Sequence, residues 1–122
     1  MTNLVKSSSP SESVGLQPNI ANFTKGWFIG NFEPTLLATN DFEIAVKEYD
    51  KGAIEEAHVH KVATEYTVVL HGKIIMLGQE FGHGDIVVVN PGIATAFEAL
   101  TDVTTIAIKV PCVQGDKYPT HV

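Results

Sequence analysis

The chain contains the stretch Gly52-Ala-Ile-Glu-Glu-Ala-His58-Val-His60-Lys-Val-Ala-Thr-Glu65-Tyr-Thr-Val-Val-Leu-His-Gly72, in which two histidines and a glutamate stand between two glycines. If residues 54–60 are extended, side chains two apart share a face. His58 and His60 then point the same way, about 6.6 Å apart along the strand. This spacing predicts a strand that presents two imidazoles side by side.

The four residues after this strand, 61–64, predict a hairpin loop from which the chain returns as a second strand. In that register Glu65 lies opposite His60 and Thr67 lies opposite His58, on one face of an antiparallel pair. Two neutral imidazoles and one carboxylate therefore converge. Such a set, with coordination positions left open, suits Fe(II), Mn(II), Ni(II) or Zn(II).

A lone His-x-His is common on exposed strands, so a polar strand face without metal is the competing interpretation of these residues. Here the two histidines are accompanied by a spaced glutamate and by a glycine at each end. These additions favour a metal site at His58, His60 and Glu65.

Length and composition limit the class of protein. The 122 residues suffice for one compact domain, and 44% hydrophobic with 18% charged residues indicates a packed globular chain. The net charge of −6, with scattered lysines, argues against a nucleic-acid partner. No apolar run reaches the roughly 20 residues needed to cross a membrane, and the N-terminus has no apolar signal core, so we expect a cytoplasmic protein. The single cysteine, Cys112, is interpreted as a structural or incidental thiol rather than a nucleophile.

The distribution of residue types predicts two regions. Residues 1–20 are rich in Ser, Pro and Asn and predict a flexible N-terminal arm, and residues 21–122 predict a single β domain. In the latter, short apolar runs are broken by turn residues and no helical period is sustained. Eight to ten strands are expected, which indicates a sandwich or barrel. The clearest are 42–49, 73–77 paired with 80–81 across a turn at Gly78-Gln79, 85–90, and 103–110.

The faces of some strands follow from alternation. Phe42, Ile44 and Val46 share one face of a half-buried strand, opposite Glu43 and Lys47. Residues 85–90 are apolar on both faces, which predicts that both faces are covered. Ile106, Ile108 and Val110 share a face of the last strand. We expect Tyr49 and Tyr66 to face outward.

The motif between the two glycines resembles the first motif of the cupin superfamily, which is matched in full by Gly52, His58, His60, Glu65 and Gly72. The second motif is matched in part. Gly84 and Gly92 are present, whereas Asn90, Thr95 and Ala99 stand where that motif has proline, histidine and asparagine. The resemblance spans about residues 40–110. It implies an all-β double-stranded β-helix, or jelly-roll barrel, with the pocket inside.

Cupins commonly form dimers, often through N-terminal strands. The resemblance therefore implies a homodimer, to which residues 22–31 would contribute a strand. Trp27 in this segment is interpreted as a core or interface aromatic rather than a substrate platform.

The absent histidine of the second motif leaves three alternatives. The metal is held by the three remaining ligands, with Thr95 hydrogen-bonded to a bound water. Alternatively His71 or His83 substitutes, although His71 is about 20 Å of extended chain beyond Glu65. Or the pocket binds an organic ligand without metal.

Four further residues are candidate pocket residues. Thr67, Thr95 and Phe97 are expected to contact a substrate, Thr67 by its position on the return strand and Phe97 by its place two residues after Thr95. By strand parity Glu56 shares the face of the histidines and is a candidate general acid or base. A solvated glutamate at the barrel rim is the alternative for Glu56.

Three functions remain open. The first is a metal-dependent cupin acting on or binding a small polar organic molecule, by dioxygenase or isomerase chemistry. The second is a metal-free nucleotide-sugar isomerase or epimerase, which the His58-Val-His60-Lys61 run favours and the small number of cationic side chains opposes. The third is a non-enzymatic sensor of a small molecule or metal.

Overall fold

Ten strands form two antiparallel sheets of five strands each in the computed structural model, which describes residues 17–120. The strands are β1 (Trp27–Ile29), β2 (Glu43–Tyr49), β3 (Ile54–Val59), β4 (Thr64–His71), β5 (Ile74–Met76), β6 (Gln79–Phe81), β7 (Ile86–Val89), β8 (Thr95–Ala99), β9 (Val103–Val110) and β10 (Tyr118–Pro119). The first sheet has the order β1-β2-β9-β4-β7 and the second the order β10-β3-β8-β5-β6. The all-β prediction is confirmed.

The N-terminal arm was predicted for residues 1–20, and residues 1–16 lie outside the described part of the chain, as do residues 121–122. The described part begins with a short 3₁₀ turn, Ile20–Asn22. Asn19 caps this turn by accepting a hydrogen bond from the Ala21 backbone N–H. No helix among residues 17–120 is long and apolar enough to span a membrane.

The hydrophobic core lies between the two sheets. Its buried members come from both sheets in equal number, and they are Val69, Val87, Val89 and Val103 from the first and Ile74, Met76, Phe97 and Ala99 from the second. The core occupies only part of the space between the sheets. A cavity of about 320 Å³ occupies another part and shares Met76 and Phe97 with the core.

The connection after β3 differs from the predicted hairpin. β3 pairs with β8 and β10, whereas β4 pairs with β7 and β9, so the two strands belong to opposite sheets. The predicted pairing of Glu65 with His60 and of Thr67 with His58 is therefore wrong. Residues 61–63 carry the chain from one sheet to the other, because their backbone N–H groups bind a buried carboxylate instead of a neighbouring strand.

The predicted hairpin near residue 78 is present one residue earlier. β5 and β6 pair with Met76 opposite Gln79, so the turn consists of Leu77 and Gly78. Both turn residues have positive φ, +53° and +72°, as a two-residue hairpin turn requires. The strand prediction is confirmed, and the turn position is corrected.

Strand β2 has most of its polar side chains on the inner face of the first sheet and its large aliphatic side chains on the outer face. On β2 the inward positions are Glu43, Ala45, Lys47 and Tyr49, which pair with the inward positions of β9. The expectation that Tyr49 faces outward is wrong, because Tyr49 lines the cavity and packs on Phe97 with ring centroids 4.3 Å apart. Alternation correctly divided the β2 side chains between two faces. The apolar face of β2, however, is the outer face of the sheet.

The outer apolar face of this sheet is formed by Ile44, Val46, Tyr66, Val68, Ile86, Val88, Ile106 and Ile108. The prediction that both faces of β7 are covered is wrong for the single chain, because Ile86 is 58% exposed and Val88 is 47% exposed. Tyr66 lies on this face, as predicted.

Gly72 ends β4 in a conformation that only glycine adopts easily. Its φ is +91°, and a Cβ atom built there would collide with the carbonyl oxygen of Asp102. The glycine at the end of the sequence motif is thus required by close backbone approach between two loops.

Candidate metal centre

Three side chains from the two sheets meet between them. His58 is on β3 opposite Thr95 of β8, and His60 follows one residue after the end of that strand. Glu65 projects inward from β4 of the other sheet. One donor atom from each of these residues lies within 4.8 Å of the other two. Among residues 17–120, this is the one group of three or more His, Cys, Asp or Glu side chains with that spacing.

His60 has a buried ring nitrogen that a metal ion could satisfy. Its side chain is 4% exposed, and Nε2 is buried without a hydrogen-bond partner in the described part of the chain. A buried ring nitrogen without a partner costs free energy unless another group satisfies it. Burial lowers the pKa of His60 to about 4, with Lys109 and His58 acting in the same direction, so the imidazole is neutral at pH 7. A neutral imidazole nitrogen is the form that binds a metal ion.

His58 and Glu65 complete the donor set. His58 Nδ1 lies 3.1 Å from the carbonyl oxygen of Glu56, and a protonated Nδ1 that donates to this carbonyl leaves Nε2 free to bind a metal. Glu65 Oε1 is 3.5 Å from His60 Nδ1. Burial raises the pKa of Glu65, opposed by Lys109, so a further cation would stabilise the ionised form. These residues therefore fit a divalent metal with open coordination positions.

Asp116 holds the loop that joins His60 to Glu65. Its buried carboxylate accepts hydrogen bonds from the backbone N–H groups of Lys61, Val62 and Ala63, at 2.8, 3.1 and 2.9 Å. Burial alone would raise the pKa of Asp116, but the three N–H donors outweigh it and hold the pKa below its usual value. The carboxylate thereby fixes the path between two of the three candidate ligands.

A bulge in β3 reverses which of Glu55 and Glu56 faces the cavity. β3 and β8 pair at Glu55 with Phe97 and again at His58 with Thr95, so β3 has one extra residue between these pairs. Glu55 therefore lines the cavity, whereas Glu56 is exposed outside it. The parity prediction that Glu56 and the histidines share the inward face is wrong. Sequence alternation cannot reveal a bulge, which shifts the parity by one.

Glu55 is paired with a tyrosine inside the cavity. The Tyr49 hydroxyl donates a hydrogen bond of 3.0 Å to Glu55 Oε2. Burial first, and the negative charge of Glu55 second, raise the pKa of Tyr49, so this hydroxyl keeps its proton. The cavity thus contains a proton acceptor and a neutral proton donor in contact with each other.

The three residues predicted to contact a substrate, Thr67, Thr95 and Phe97, are all buried and all line the cavity. The Thr95 hydroxyl accepts a hydrogen bond from the Leu77 N–H at 3.1 Å and lies 3.0 Å from the carbonyl oxygen of Ala96, to which it donates. Both contacts are with backbone, so Thr95 also holds the β5–β6 turn. His71 and His83 are exposed, and neither joins the metal group.

Lysines surround the rest of the cavity. Half of the eight cationic side chains of the chain line the cavity, namely Lys25, Lys47, Lys109 and Lys117. Trp27 lies between two of them, with its ring centroid 5.7 Å from Lys47 Nζ and 5.0 Å from Lys109 Nζ. The interpretation of Trp27 as a core or interface aromatic is corrected, because its ring lines the cavity.

No protein-family model and no curated protein matches the sequence. Solved structures do match the fold. A protein with a double-stranded β-helix domain from Klebsiella pneumoniae has a TM-score of 0.62 and 20% identity, over 69% of this chain and 78% of that one. An RmlC-like cupin from Shewanella frigidimarina has a TM-score of 0.57 and 20% identity, over 62% and 70%. The chain has the cupin fold.

A third structure with the cupin fold, oxalate decarboxylase from Bacillus subtilis, has a TM-score of 0.57 and 18% identity, over 66% of this chain and 24% of that one. At these identities the likeness establishes the cupin fold, and function must be argued from the site.

Sequence reasoning missed several residues of the site in this cupin fold. Glu55 was missed because of the bulge, and Lys47 and Tyr49 because the apolar face of β2 was taken for the inner one. The available signal was the alternation of Glu43, Ala45, Lys47 and Tyr49, a polar strand face that a cavity can use. Asp116 and Lys117 follow an irregular segment, and no sequence signal ties them to residue 60.

Proposed function

We propose that this chain is a metal-binding cupin that acts on a small polar organic molecule by proton transfer, as an isomerase does. The observation that carries the proposal is the group of His58, His60 and Glu65, whose donor atoms lie within 4.8 Å of one another. The buried Nε2 of His60 has no hydrogen-bond partner among residues 17–120. The Mn(II) centres of the B. subtilis oxalate decarboxylase support metal binding in this fold. A divalent ion held by these three residues would act as a Lewis acid on a substrate oxygen.

Glu55 and Tyr49 would perform the proton transfer. Glu55 lines the same cavity as His58 and Glu65, which places a carboxylate where it can take a proton from a bound substrate. Tyr49 keeps its proton and orients Glu55 through the 3.0 Å hydrogen bond. Phe97 packs against the Tyr49 ring and holds the pair in position.

Two other chemistries have less support. Dioxygenase chemistry would use the same two histidines and one carboxylate with Fe(II), but it gives no role to Glu55 and Tyr49. A metal-free nucleotide-sugar enzyme is disfavoured because a diphosphate is best bound by arginine, and the chain has none. The cavity of about 320 Å³ is also near the lower end of the roughly 300–1,000 Å³ range of ligand sites.

Glu55 and Glu56, which are consecutive on β3, provide a direct test of proton transfer. In D₂O, the protein loaded with Zn(II) is expected to catalyse deuterium exchange next to the carbonyl of some carbonyl compounds of three to six carbons. Glu55→Gln should slow this exchange by about 10²- to 10⁴-fold without loss of bound metal, because it removes the general base. The measurement is proton NMR of the exchanging position.

Glu56→Gln is the matched control, since Glu56 is the neighbouring carboxylate outside the cavity. It should retain the exchange rate of the unmodified chain. Equal rates in the Glu55 and Glu56 variants would contradict the assignment. If the protein binds one equivalent of metal but exchanges none of these carbonyl compounds, a non-enzymatic sensor would be favoured over an enzyme.

We also propose that the chain forms a homodimer through its outer apolar face. This face has exposed Ile86 and Val88. Among the paired residues of β2, β4, β7 and β9, Glu48 at the edge is the one acidic or lysine side chain on this face. Two copies that each carry a net charge of −6 repel, and an almost uncharged face is where they can meet at least electrostatic cost. A second copy is therefore the occupant that this surface fits best.

Size-exclusion chromatography with light scattering tests the dimer. The unmodified chain is expected at twice its mass of 13.2 kDa. Val88→Glu is expected at the mass of one chain, because it would bury a negative charge from each copy in the interface. Glu98→Gln, on the exposed side of β8 in the other sheet, is the control and should remain dimeric. A Val88→Glu variant that stays dimeric would place the interface elsewhere.

A further inference from the structure

The cavity holds a lysine whose charge is not neutralised by an ion pair. Lys47 is half-buried on the inner face of β2, and among residues 17–120 no carboxylate lies within ion-pair distance of its Nζ. Lys109 differs in this respect, since its Nζ is 3.4 Å from Glu43 Oε2. Burial of an unpaired ammonium costs free energy, so its retention inside the barrel needs a reason.

Aromatic rings hold Lys47 in place. Its Nζ is 5.7 Å from the ring centroid of Trp27 and 5.9 Å from that of Tyr49. Such contacts fix the position of a cation without cancelling its charge. Burial is the largest cause of a lowered pKa at Lys47, and Lys117, Lys25 and Lys109 act in the same direction, whereas Glu55 opposes them. The charged neighbours of the ammonium are thus the Glu55 carboxylate and three lysines, and an added anion would stabilise it further.

The charge balance of the lining leads to the same conclusion. Four lysines and two glutamates, Glu55 and Glu65, line the cavity, and Glu65 is one of the three candidate metal ligands. Lys109 is also paired with Glu43, so the three other lysines face the two glutamates. With a divalent ion bound, the lining has a clear excess of positive charge in a chain whose net charge is −6. A cavity of one sign with low-dielectric walls concentrates ligands of the opposite sign.

We propose that the cavity binds a small organic carboxylate, with the carboxylate at Lys47 and a second oxygen of the same molecule directed to the His58–His60–Glu65 group. Short 2-oxo acids, 2-hydroxy acids and dicarboxylates have this chemistry. The proposal rests on the function proposed above and adds to it the substrate class. Inorganic phosphate is a poorer fit, because phosphate sites favour arginine and helix N-termini, and neither contributes to this cavity in the described residues.

Calorimetric titration of the full chain loaded with Mn(II) tests this inference. Oxalate, malonate and pyruvate are the carboxylate probes, malonamide is the neutral counterpart of malonate, and phosphate is the competing anion. At least one carboxylate should bind more than about tenfold more tightly than malonamide and phosphate. Lys47→Gln should lower the affinity for that carboxylate by about tenfold or more and leave the amount of bound Mn(II) unchanged.

Lys73→Gln is the matched control, because Lys73 is exposed outside the cavity and its Nζ lies 3.8 Å from Glu80 Oε2. It should leave the affinity unchanged. The inference is overturned if malonamide binds as tightly as malonate, or if Lys47→Gln and Lys73→Gln behave alike.

The same titration on metal-free protein separates this inference from the proposed function. If the chain binds no metal but a carboxylate still binds and loses affinity in Lys47→Gln, the proposed metal function fails and the carboxylate site stands. If metal binds and no carboxylate does, the metal function stands and the carboxylate site is wrong.

Discussion

Replacing His60 by alanine is expected to lower the affinity for divalent metal by more than about 100-fold, because it removes a direct ligand. Loss of a mere supporting contact to a metal ligand already costs about 10- to 100-fold. The buried Nε2 has no other partner in the described residues, so no other function of this atom compensates. Metal content after tag-free purification and dialysis, measured by mass spectrometry, gives the direct result.

Thermal melting provides the second measurement for this prediction. Added Mn(II) or Zn(II) should raise the melting temperature of the unmodified chain and leave that of the His60 variant unchanged, since a ligand stabilises only a protein that binds it. Glu65→Gln should behave as His60→Ala does, and it keeps the size of the side chain. His71→Ala, at an exposed histidine, should retain metal. A His60→Ala protein that melts cooperatively and still holds one equivalent of metal would refute the site.

Replacing Asp116 by asparagine is expected to lower the free energy of unfolding at pH 7 by about 2–3 kcal/mol. An amide oxygen cannot replace a carboxylate that accepts from three backbone N–H groups, and its NH₂ group meets donors instead of acceptors. The loop between His60 and Glu65 should loosen, so metal affinity should fall by about tenfold. Urea unfolding and metal titration measure the two effects.

The effect of Asp116 should depend on pH in a defined direction. The pKa of Asp116 is lowered in the folded chain, so its stabilising effect is complete above the usual value of 3.8 and is lost as the pH falls through the folded-state pKa. The difference between the two proteins should therefore shrink below about pH 4. Asp102→Asn is the control. Asp102 is exposed and its carboxylate accepts one described hydrogen bond, from the Lys51 N–H, so its replacement should cost less than about 1 kcal/mol.

The sequence was sufficient to predict the fold class and the group of metal-capable side chains. Motif spacing is a local property, and it indicated that His58, His60 and Glu65 form one group, as they do. The hairpin pairing that was used to place Glu65 opposite His60 was wrong. The route by which these side chains meet was not predictable in this way. A four-residue connection fits a hairpin, and what makes it a crossing between sheets is Asp116, more than 50 residues further along the chain.

The inner surface of the barrel was the least predictable part. The apolar face of a strand is usually the face that lies inside the protein. On β2 this rule fails, because Lys47 and Tyr49 are on the inner face. A site that must hold charged groups reverses the rule locally. The bulge before His58 has the same consequence, because the one extra residue turns Glu55 inward and Glu56 outward.

Trp27 is the single tryptophan of the chain, and its indole lies against the cavity within 6 Å of two ammonium groups. Its fluorescence therefore reports on one known place and has no background from other indoles. An anion that draws Lys47 or Lys109 away from the ring would change the emission wavelength or quantum yield. The molecule thus carries an intrinsic optical probe with which compound collections can be screened before any reaction is known.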